Sequence, residues 1–407
     1  MKEIGKQTEY DIAIIGAGIQ GAGLAQAASA AGFKVIVLEK NVVASATSCK
    51  SSKLIHGGLR YLESLQFNLV YECLHERNLL TKLAPNLVKL VPFYIPIYKH
   101  SQRKPWQVRL GLFLYWALSG FDKYSGFQTV NPDQWHKLHD LNTNNLLQVF
   151  CYQDGQTDDK LLTQAVMQSA IEMGTKLHCH ADFVKSEKKT DDIKVFWKEN
   201  GEEYFVRSKV LVNCTGPWIE KTNQKLDRPL PLPDLDKIKG SHIIIPEELG
   251  KQIFYVEAED GRAVFIMPWR DQNNHPCTLI GTTENTVNNE PDQIENPTAS
   301  QSEITYLLNT ASHHFPQLRS YSPKNIQSSF AGLRVLPGEN KKAFHRHRET
   351  LSVFDNTNVP RYVATAGGKL TSYRIGSEKL LKQLLPTLGQ RQTGKTKEIE
   401  LERPDRD

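Results

Sequence analysis

The residues best equipped for chemistry are gathered in one stretch, Thr47-Ser48-Cys49-Lys50-Ser51-Ser52-Lys53-Leu54-Ile55-His56-Gly57-Gly58-Leu59-Arg60-Tyr61. A neutral imidazole, here that of His56, can take a proton from an alcohol at physiological pH. Gly57 and Gly58 let main chain come close to a flat ring, and the hydroxyls of Thr47, Ser51 and Ser52, with Lys53 beside them, suit phosphate or ring edges. Taken singly, each residue has a plainer reading: a lone histidine is more often structural, and Arg60 by itself is a solvated charge. Their density in one stretch is what describes a site.

Such residues need a frame, and the chain supplies one just upstream. Tyr10 to Ile15 reads as a buried strand, Gly21 to Ala31 as a helix of small residues, and Lys34 to Glu39 as a second buried strand. Between the first strand and the helix lies Gly16-Ala17-Gly18-Ile19-Gln20-Gly21. In that position Gly16 permits the tight turn, Gly18 lets a pyrophosphate approach the backbone, and Gly21 allows close helix packing, while Glu39 can accept hydrogen bonds from a ribose. The acid disfavours a 2′-phosphate and leaves FAD and NAD open. Further helices are expected at Leu69 to Leu83, Asp159 to Met173 and Gln301 to Phe315, and strands at Val210 to Cys214, His242 to Ile245 and Ala263 to Met267.

The expected fold class is therefore α/β, with a Rossmann-like nucleotide-binding domain interleaved with a mostly antiparallel β-sheet substrate domain. The first is assigned residues 1–90, 150–230 and 330–388, and the second 91–149 and 231–329. The chain is expected to cross between them near Pro92, Pro229 to Pro233 and Pro337. Residues 389–407 are charged and read as a loose tail.

Bulk properties narrow the class. A formal charge of +5 arises from 50 basic and 45 acidic residues, so the surface is mixed and nucleic acid is not an expected partner. Cys49, Cys73, Cys151, Cys179, Cys214 and Cys277 lie far apart, which suits reduced thiols in a cytoplasmic protein. Met1 to Tyr10 is polar and has no secretory character, and the apolar stretch Leu110 to Leu118 is about half of the ~20 residues that a spanning helix requires.

The segment Ser51 to Leu62 resembles the signature of FAD-dependent glycerol-3-phosphate dehydrogenases, within the D-amino-acid-oxidase-like flavoproteins. The resemblance continues through Asn213-Cys214-Thr215-Gly216-Pro217-Trp218, Lys239-Gly240-Ser241-His242, Pro268-Trp269, Ile280-Gly281-Thr282-Thr283, Gly332-Leu333-Arg334 and Gly367-Gly368-Lys369-Leu370-Thr371-Ser372-Tyr373-Arg374. It implies FAD as cofactor and glycerol 3-phosphate as substrate, oxidised to dihydroxyacetone phosphate by hydride transfer from C2 to flavin N5. It implies His56 as base, with Arg334 also catalytic. Arg60, Arg334 and Lys369 would surround the phosphate, with Tyr61, His242, Trp269 and Thr283 lining the substrate side. Thr47, Ser51, Ser52, Lys53, His56, Gly57, Thr215, Gly216, Gly367, Gly368, Lys369, Leu370 and Thr371 would join Gly16, Gly18, Gly21 and Glu39 around the cofactor. Guanidinium groups suit a phosphate monoester, which they can hold through two parallel charge-assisted hydrogen bonds.

The same resemblance implies a quinone acceptor. It favours a peripheral membrane contact, on the inner face of the cell membrane, through residues 101–120, where Trp106, Leu110, Phe113 and Ala117 share a helical face flanked by cations. A core helix with polar ends is the alternative reading. The run Phe344-His345-Arg346-His347-Arg348 is a candidate phosphate contact or a solvated strand face, and a homodimer is an assembly open to test. The chain departs from longer members in ending near Asp407 without their C-terminal helical domain, in Gln20 where asparagine is usual, and in Ala331-Gly332-Leu333-Arg334-Val335 in place of Ser-Gly-Val-Arg-Pro. Two rivals remain: a related flavin enzyme acting on another hydroxy or amino substrate, and a non-catalytic FAD-binding partner subunit.

Overall fold

The computed structural model describes residues 2–3, 9–287, 291–338, 350–391 and 395–404. Strand Glu9–Ile15 pairs in parallel with Val35–Leu38 on one side and Glu202–Asn213 on the other. Lys176–His178 extends the parallel ladder beyond the first, and Tyr362–Gly367 beyond the second. Side chains alternate across this sheet. Ile12, Ile14, Val35, Val37, Val210 and Val212 face a layer that includes the helices Ile19–Ala30, Asp159–Glu172 and Tyr373–Leu388. Ala13, Ile15, Ile36, Leu38 and Leu211 face the opposite layer with Phe183, Trp197 and Leu226. Burial on both faces explains why these strands read as continuous apolar runs.

The glycine turn has the geometry the sequence demands. Gly16 has φ +101°, and a Cβ there would lie 2.8 Å from the Cys214 carbonyl oxygen. A Cβ on Gly21 would run into the Gly16 carbonyl itself, so the helix can start this close to the strand only with glycine at both positions.

A second sheet is mainly antiparallel. Its strands run in the order Asn285–Val287, Leu235–Ile245, Pro276–Gly281, Ala263–Arg270, Ile253–Glu257, Val88–Tyr98, Leu146–Thr157 and Leu54–Ile55, with Ser328–Pro337 also paired to Leu235–Ile245. One face carries helix Gln301–His314, which opens with a capping box between Ser300 and Glu303. The other carries Phe67–Leu83 and Pro105–Leu118.

Of the expected crossings, Pro229 to Pro233 lies between the sheets, just before Leu235–Ile245, whereas Pro337 is still paired, opposite Leu235, at the end of Ser328–Pro337. Pro92 is not between the sheets either. It lies within Val88–Tyr98, opposite Gln153, so the chain has entered the second sheet before residue 88. Proline is tolerated there because the strand on the other side joins only at Phe93 and Tyr94, leaving Pro92 on a locally open edge. Strands Leu146–Thr157 and Ser328–Pro337 likewise carry the second sheet across the expected boundaries at 150 and 330.

The charged segment after 388 is not loose where it is described. Thr396 and Leu401 are buried, the Leu401 amide donates to the Leu83 carbonyl at 2.7 Å, and Arg374 Nη1 donates to Thr396 Oγ1 at 2.9 Å. Arg391 adds an ion pair to Asp11 at 3.2 Å, so the otherwise charged segment is held by an apolar anchor and by ionic contacts. The run 344–348 lies outside the described residues.

Candidate active site

A cavity of about 710 Å³ opens at the seam between the two sheets, of a size that suits an organic ligand. Its walls come from the C-terminal ends of the parallel strands and from the second sheet at Gly240, His242 and Gly332 to Leu336. That is where nucleotides sit in folds of this kind.

At the nucleotide end the cavity is lined by Gly16, Gly18, Glu39, Thr215 and Gly216. Glu39 accepts the Ala17 amide (2.7 Å) through Oε2 and the Asn41 amide (2.8 Å) through Oε1. It therefore tethers the glycine turn while still facing the cavity. Gly18, Ile19 and Gln20 at the start of helix Ile19–Ala30 line the cavity, so its positive end faces it, with the Ile19 amide donating to Ser48 Oγ at 2.9 Å. Main chain reaches the wall at Gly367 and Gly368, both with positive φ. These features fit a bound dinucleotide with a flat ring. Gly21 lies behind the turn and serves helix packing.

The middle of the cavity is built by the hydroxyl-rich segment. Thr47 donates to the Leu333 carbonyl at 2.8 Å, and Ser52 Oγ lies 3.1 Å from His242 Nε2. The Ser51 amide donates to Asp159 at 2.8 Å, and Ser51 and Ser52 both line the wall. Lys53 is not brought to the cavity. It is buried, paired with Asp159, with its Nζ 2.7 Å from the Cys49 carbonyl. Trp269 also stands away from the cavity, its ring 5.6 Å from Lys53 Nζ. The local motif gave no sign that this lysine turns inward, because its partner lies 106 residues away.

His56, Tyr61, Leu370 and Thr371 line the same wall. The His56 amide donates to Thr371 Oγ1 at 3.1 Å, and Gly57 stands behind it with its amide on Tyr115 Oη at 2.8 Å. His242 is buried and stacked on Phe330, with ring centroids 4.8 Å apart. Burial, with Lys53 and Arg334 nearby, pushes its imidazole down to about 3, so it is neutral at pH 7.

Arg334 and Lys369 bring two cations to the cavity lining. Lys369 Nζ is buried, lies 4.5 Å from the Tyr61 ring centroid, and has no hydrogen-bond partner among the described residues. Arg60 does not reach the cavity wall itself. It stands one carboxylate behind, since Glu284 lies 3.6 Å from Arg60 Nη2 and 3.2 Å from Arg334 Nη1. Sequence reasoning missed Glu284, whose only signal was its place directly after Thr282-Thr283. Thr283 turns its hydroxyl away from the cavity to Glu303 (2.8 Å), and Arg334 Nη2 reaches its carbonyl at 3.4 Å. Burial alone would raise the Glu303 carboxyl, but hydrogen bonds from Lys239, the Ser300 amide, Thr283 and Asn285 hold it at about 2.

These shifts predict an acid-side loss of stability. His242 and His314, both depressed by burial, take up protons in the unfolded chain below about 6.5 but in the folded chain only near about 3 and about 4. Their contribution is present above 6.5 and lost as pH falls toward those values, and the Glu303 contribution follows between about 4.5 and about 2. Urea midpoints of the holoprotein should fall steadily from pH 7 to pH 4. A flat profile would contradict the assignment.

The sequence profile of FAD-dependent oxidoreductases matches residues 11–374. The aerobic glycerol-3-phosphate dehydrogenase of Escherichia coli (strain K12) is 34% identical over 388 residues, 92% of this chain and 73% of that protein. D-erythritol 1-phosphate dehydrogenase of Brucella abortus (strain 2308) is 31% identical over 93% of this chain and 75% of its own length. Among solved structures, the glycerol-3-phosphate dehydrogenase of Bacillus halodurans in complex with FAD superimposes with a TM-score of 0.74 at 24% identity, covering 97% of this chain and 68% of that one. The chain belongs to the family of FAD-dependent oxidoreductases, in the group that contains the glycerol-3-phosphate dehydrogenases.

Proposed function

We propose that this chain binds FAD in the glycine-lined cavity and oxidises sn-glycerol 3-phosphate to dihydroxyacetone phosphate. The observation that carries the reading is one cavity whose lining joins a dinucleotide cradle at Gly16, Gly18 and Glu39 with His56 and with the cations Arg334 and Lys369. Arg334 supports a phosphate best, because its guanidinium lines the cavity with the side chain 30% exposed, and Lys369 adds a second cation to the same lining. The two curated relatives named above are both dehydrogenases of phosphorylated polyols by name, and polyol phosphate is the shared substrate chemistry.

FAD, when bound, supplies the acceptor for the hydride leaving C2. The chain does the rest. Arg334 and Lys369 hold the phosphate, with Arg60 reinforcing them through Glu284. His56 takes the C2 hydroxyl proton as the hydride departs. His242, held down at about 3, is a neutral imidazole with a single N–H at pH 7 and orients the alcohol without adding charge. Anaerobic addition of glycerol 3-phosphate should bleach the flavin absorbance of the holoprotein. Intact holoprotein that stays yellow, or one bleached faster by erythritol 1-phosphate or by an amino acid, would overturn the substrate.

Electrons then pass to a quinone, and a lipid surface is the place to meet one. Supporting this, helix Pro105–Leu118 buries Val108, Leu112 and Tyr115 and exposes Trp106, Leu110 and Phe113. Leu65, Phe67 and Tyr71, on and just before helix Phe67–Leu83, are exposed as well, and that helix packs against Pro105–Leu118. Apolar residues in this number outside a core mark a contact surface, and the exposed Lys104, Arg109 and Lys123 lie along the same segment to meet anionic headgroups. Among the described residues no helix is long and apolar enough to cross a membrane. The holoprotein should float with anionic liposomes, and Leu110→Asp with Phe113→Asp should leave it at the bottom of the gradient with its flavin intact.

A further inference from the structure

The most completely buried ionic network in the described residues lies directly behind His56. Arg77, Tyr115 and Asp154 are all 0% exposed. Arg77 Nη1 pairs with Asp154 Oδ1 at 3.0 Å and donates to the Gln153 carbonyl at 3.2 Å, while its Nη2 donates to Asn78 Oδ1 at 2.8 Å and to Ser125. The other carboxylate oxygen of Asp154 accepts the Tyr115 hydroxyl at 2.6 Å. That hydroxyl has one acceptor position turned to the active-site loop, and the Gly57 amide fills it at 2.8 Å.

Burying a guanidinium and a carboxylate together is weak evidence for stability, since an apolar cluster of the same volume does as well or better. What this network holds is more informative. The main chain on either side of the His56 Cα is tied from two unrelated elements: the His56 amide by Thr371 Oγ1, and the Gly57 amide by Tyr115 Oη. A Cβ on Gly57 would lie 2.6 Å from that oxygen, so glycine is needed for the hydroxyl to come this close. The phenol ring itself is seated edge-on against Tyr152, with centroids 5.9 Å apart, which fixes where the hydroxyl points.

We infer that Tyr115, oriented by Asp154 and Arg77, is a positioning residue that sets the main chain at Gly57 and thereby aims the His56 imidazole at the substrate alcohol. The inference rests on the reading of His56 as the proton acceptor. It assigns a task to helix Pro105–Leu118 beyond its exposed face, because the same helix that turns Leu110 and Phe113 outward delivers Tyr115 inward.

Tyr115→Phe keeps the ring and removes only the hydroxyl. In folded holoprotein with full FAD content, flavin reduction by glycerol 3-phosphate should slow by about tenfold or more, with KM little changed, because misplacing a reacting group lowers the chemical rate without loosening the phosphate. In a His56→Gln background the same substitution should cost nothing further, since the group it aims is gone. A wild-type rate for Tyr115→Phe, or an equal loss in the His56→Gln background, would overturn the inference while leaving His56 in its role. A wild-type rate for His56→Gln alone would instead overturn the functional reading and the inference with it. Should Tyr115→Phe fail to accumulate folded, fluorotyrosines at position 115 keep the shape and change the acidity of the hydroxyl. A flavin-reduction rate that tracks fluorination supports the positioning role, and a flat series overturns it.

Discussion

His56→Gln should slow reduction of the bound flavin by glycerol 3-phosphate by about two to four orders of magnitude, the usual worth of a positioned proton acceptor. Glutamine matches the reach of the ring and still hydrogen-bonds the alcohol, but it cannot take the proton. Substrate affinity should change little, because the cations that hold the phosphate, Arg334 and Lys369, are untouched. The neighbouring imidazole cannot substitute: His242 is pushed down to about 3 by burial and by Lys53 and Arg334, so at pH 7 it would surrender any proton it took. Stopped-flow absorbance at saturating substrate measures the rate directly. A loss smaller than about threefold would remove His56 from the chemistry.

Arg334→Met should lower kcat/KM for glycerol 3-phosphate by about 30- to 1000-fold, equivalent to about 2–4 kcal/mol for a charge-assisted contact in a partly buried site. The side chain is 30% exposed, which places the expectation toward the lower end. Glu284 keeps Arg60 as its partner in this variant, so the carboxylate is not left uncompensated. The discriminating control is glycerol itself. An unphosphorylated alcohol never uses the phosphate-binding cations, so its slow turnover should be the same in both proteins. Equal losses on both substrates would mean that Arg334 maintains the fold of the pocket and does not bind phosphate.

The parts of the site that were legible in the sequence are those whose meaning is local. Gly16, Gly18 and Gly21 could be assigned because the turn, the helix start and the strand end lie within a few residues of one another, and their geometry follows from sterics. Continuous apolar runs marked the parallel strands because both faces of that sheet are buried. Lys53 was misplaced because its motif position resembles that of its neighbours, while its direction is set by Asp159 on a distant helix. Thr283 was misplaced for the same reason, since Glu303 claims its hydroxyl. Glu284 carried no local signal beyond its place after Thr282-Thr283, and Tyr115 carried none. Each acquires significance only when the second sheet brings Arg60 to Arg334, or a helix of the other layer to Gly57. The proline at 92 misled for the opposite reason, because a strong local signal was overruled by a locally open strand edge.

The tie between His56 and Thr371 spans 315 residues, and that between Gln20 and Gly367 spans 347. Strand Tyr362–Gly367 also inserts beside Glu202–Asn213, next to the strand that begins the fold. On a ribosome, the glycine turn therefore emerges early and waits for its opposite wall until nearly all of the described chain has been made. Cofactor capture is consequently a late event in biosynthesis, and a nascent chain halted before residue 362 would expose an open half-cradle to chaperones and proteases. Flavin present when those last elements emerge, and not earlier in translation, would then set how much of this protein survives.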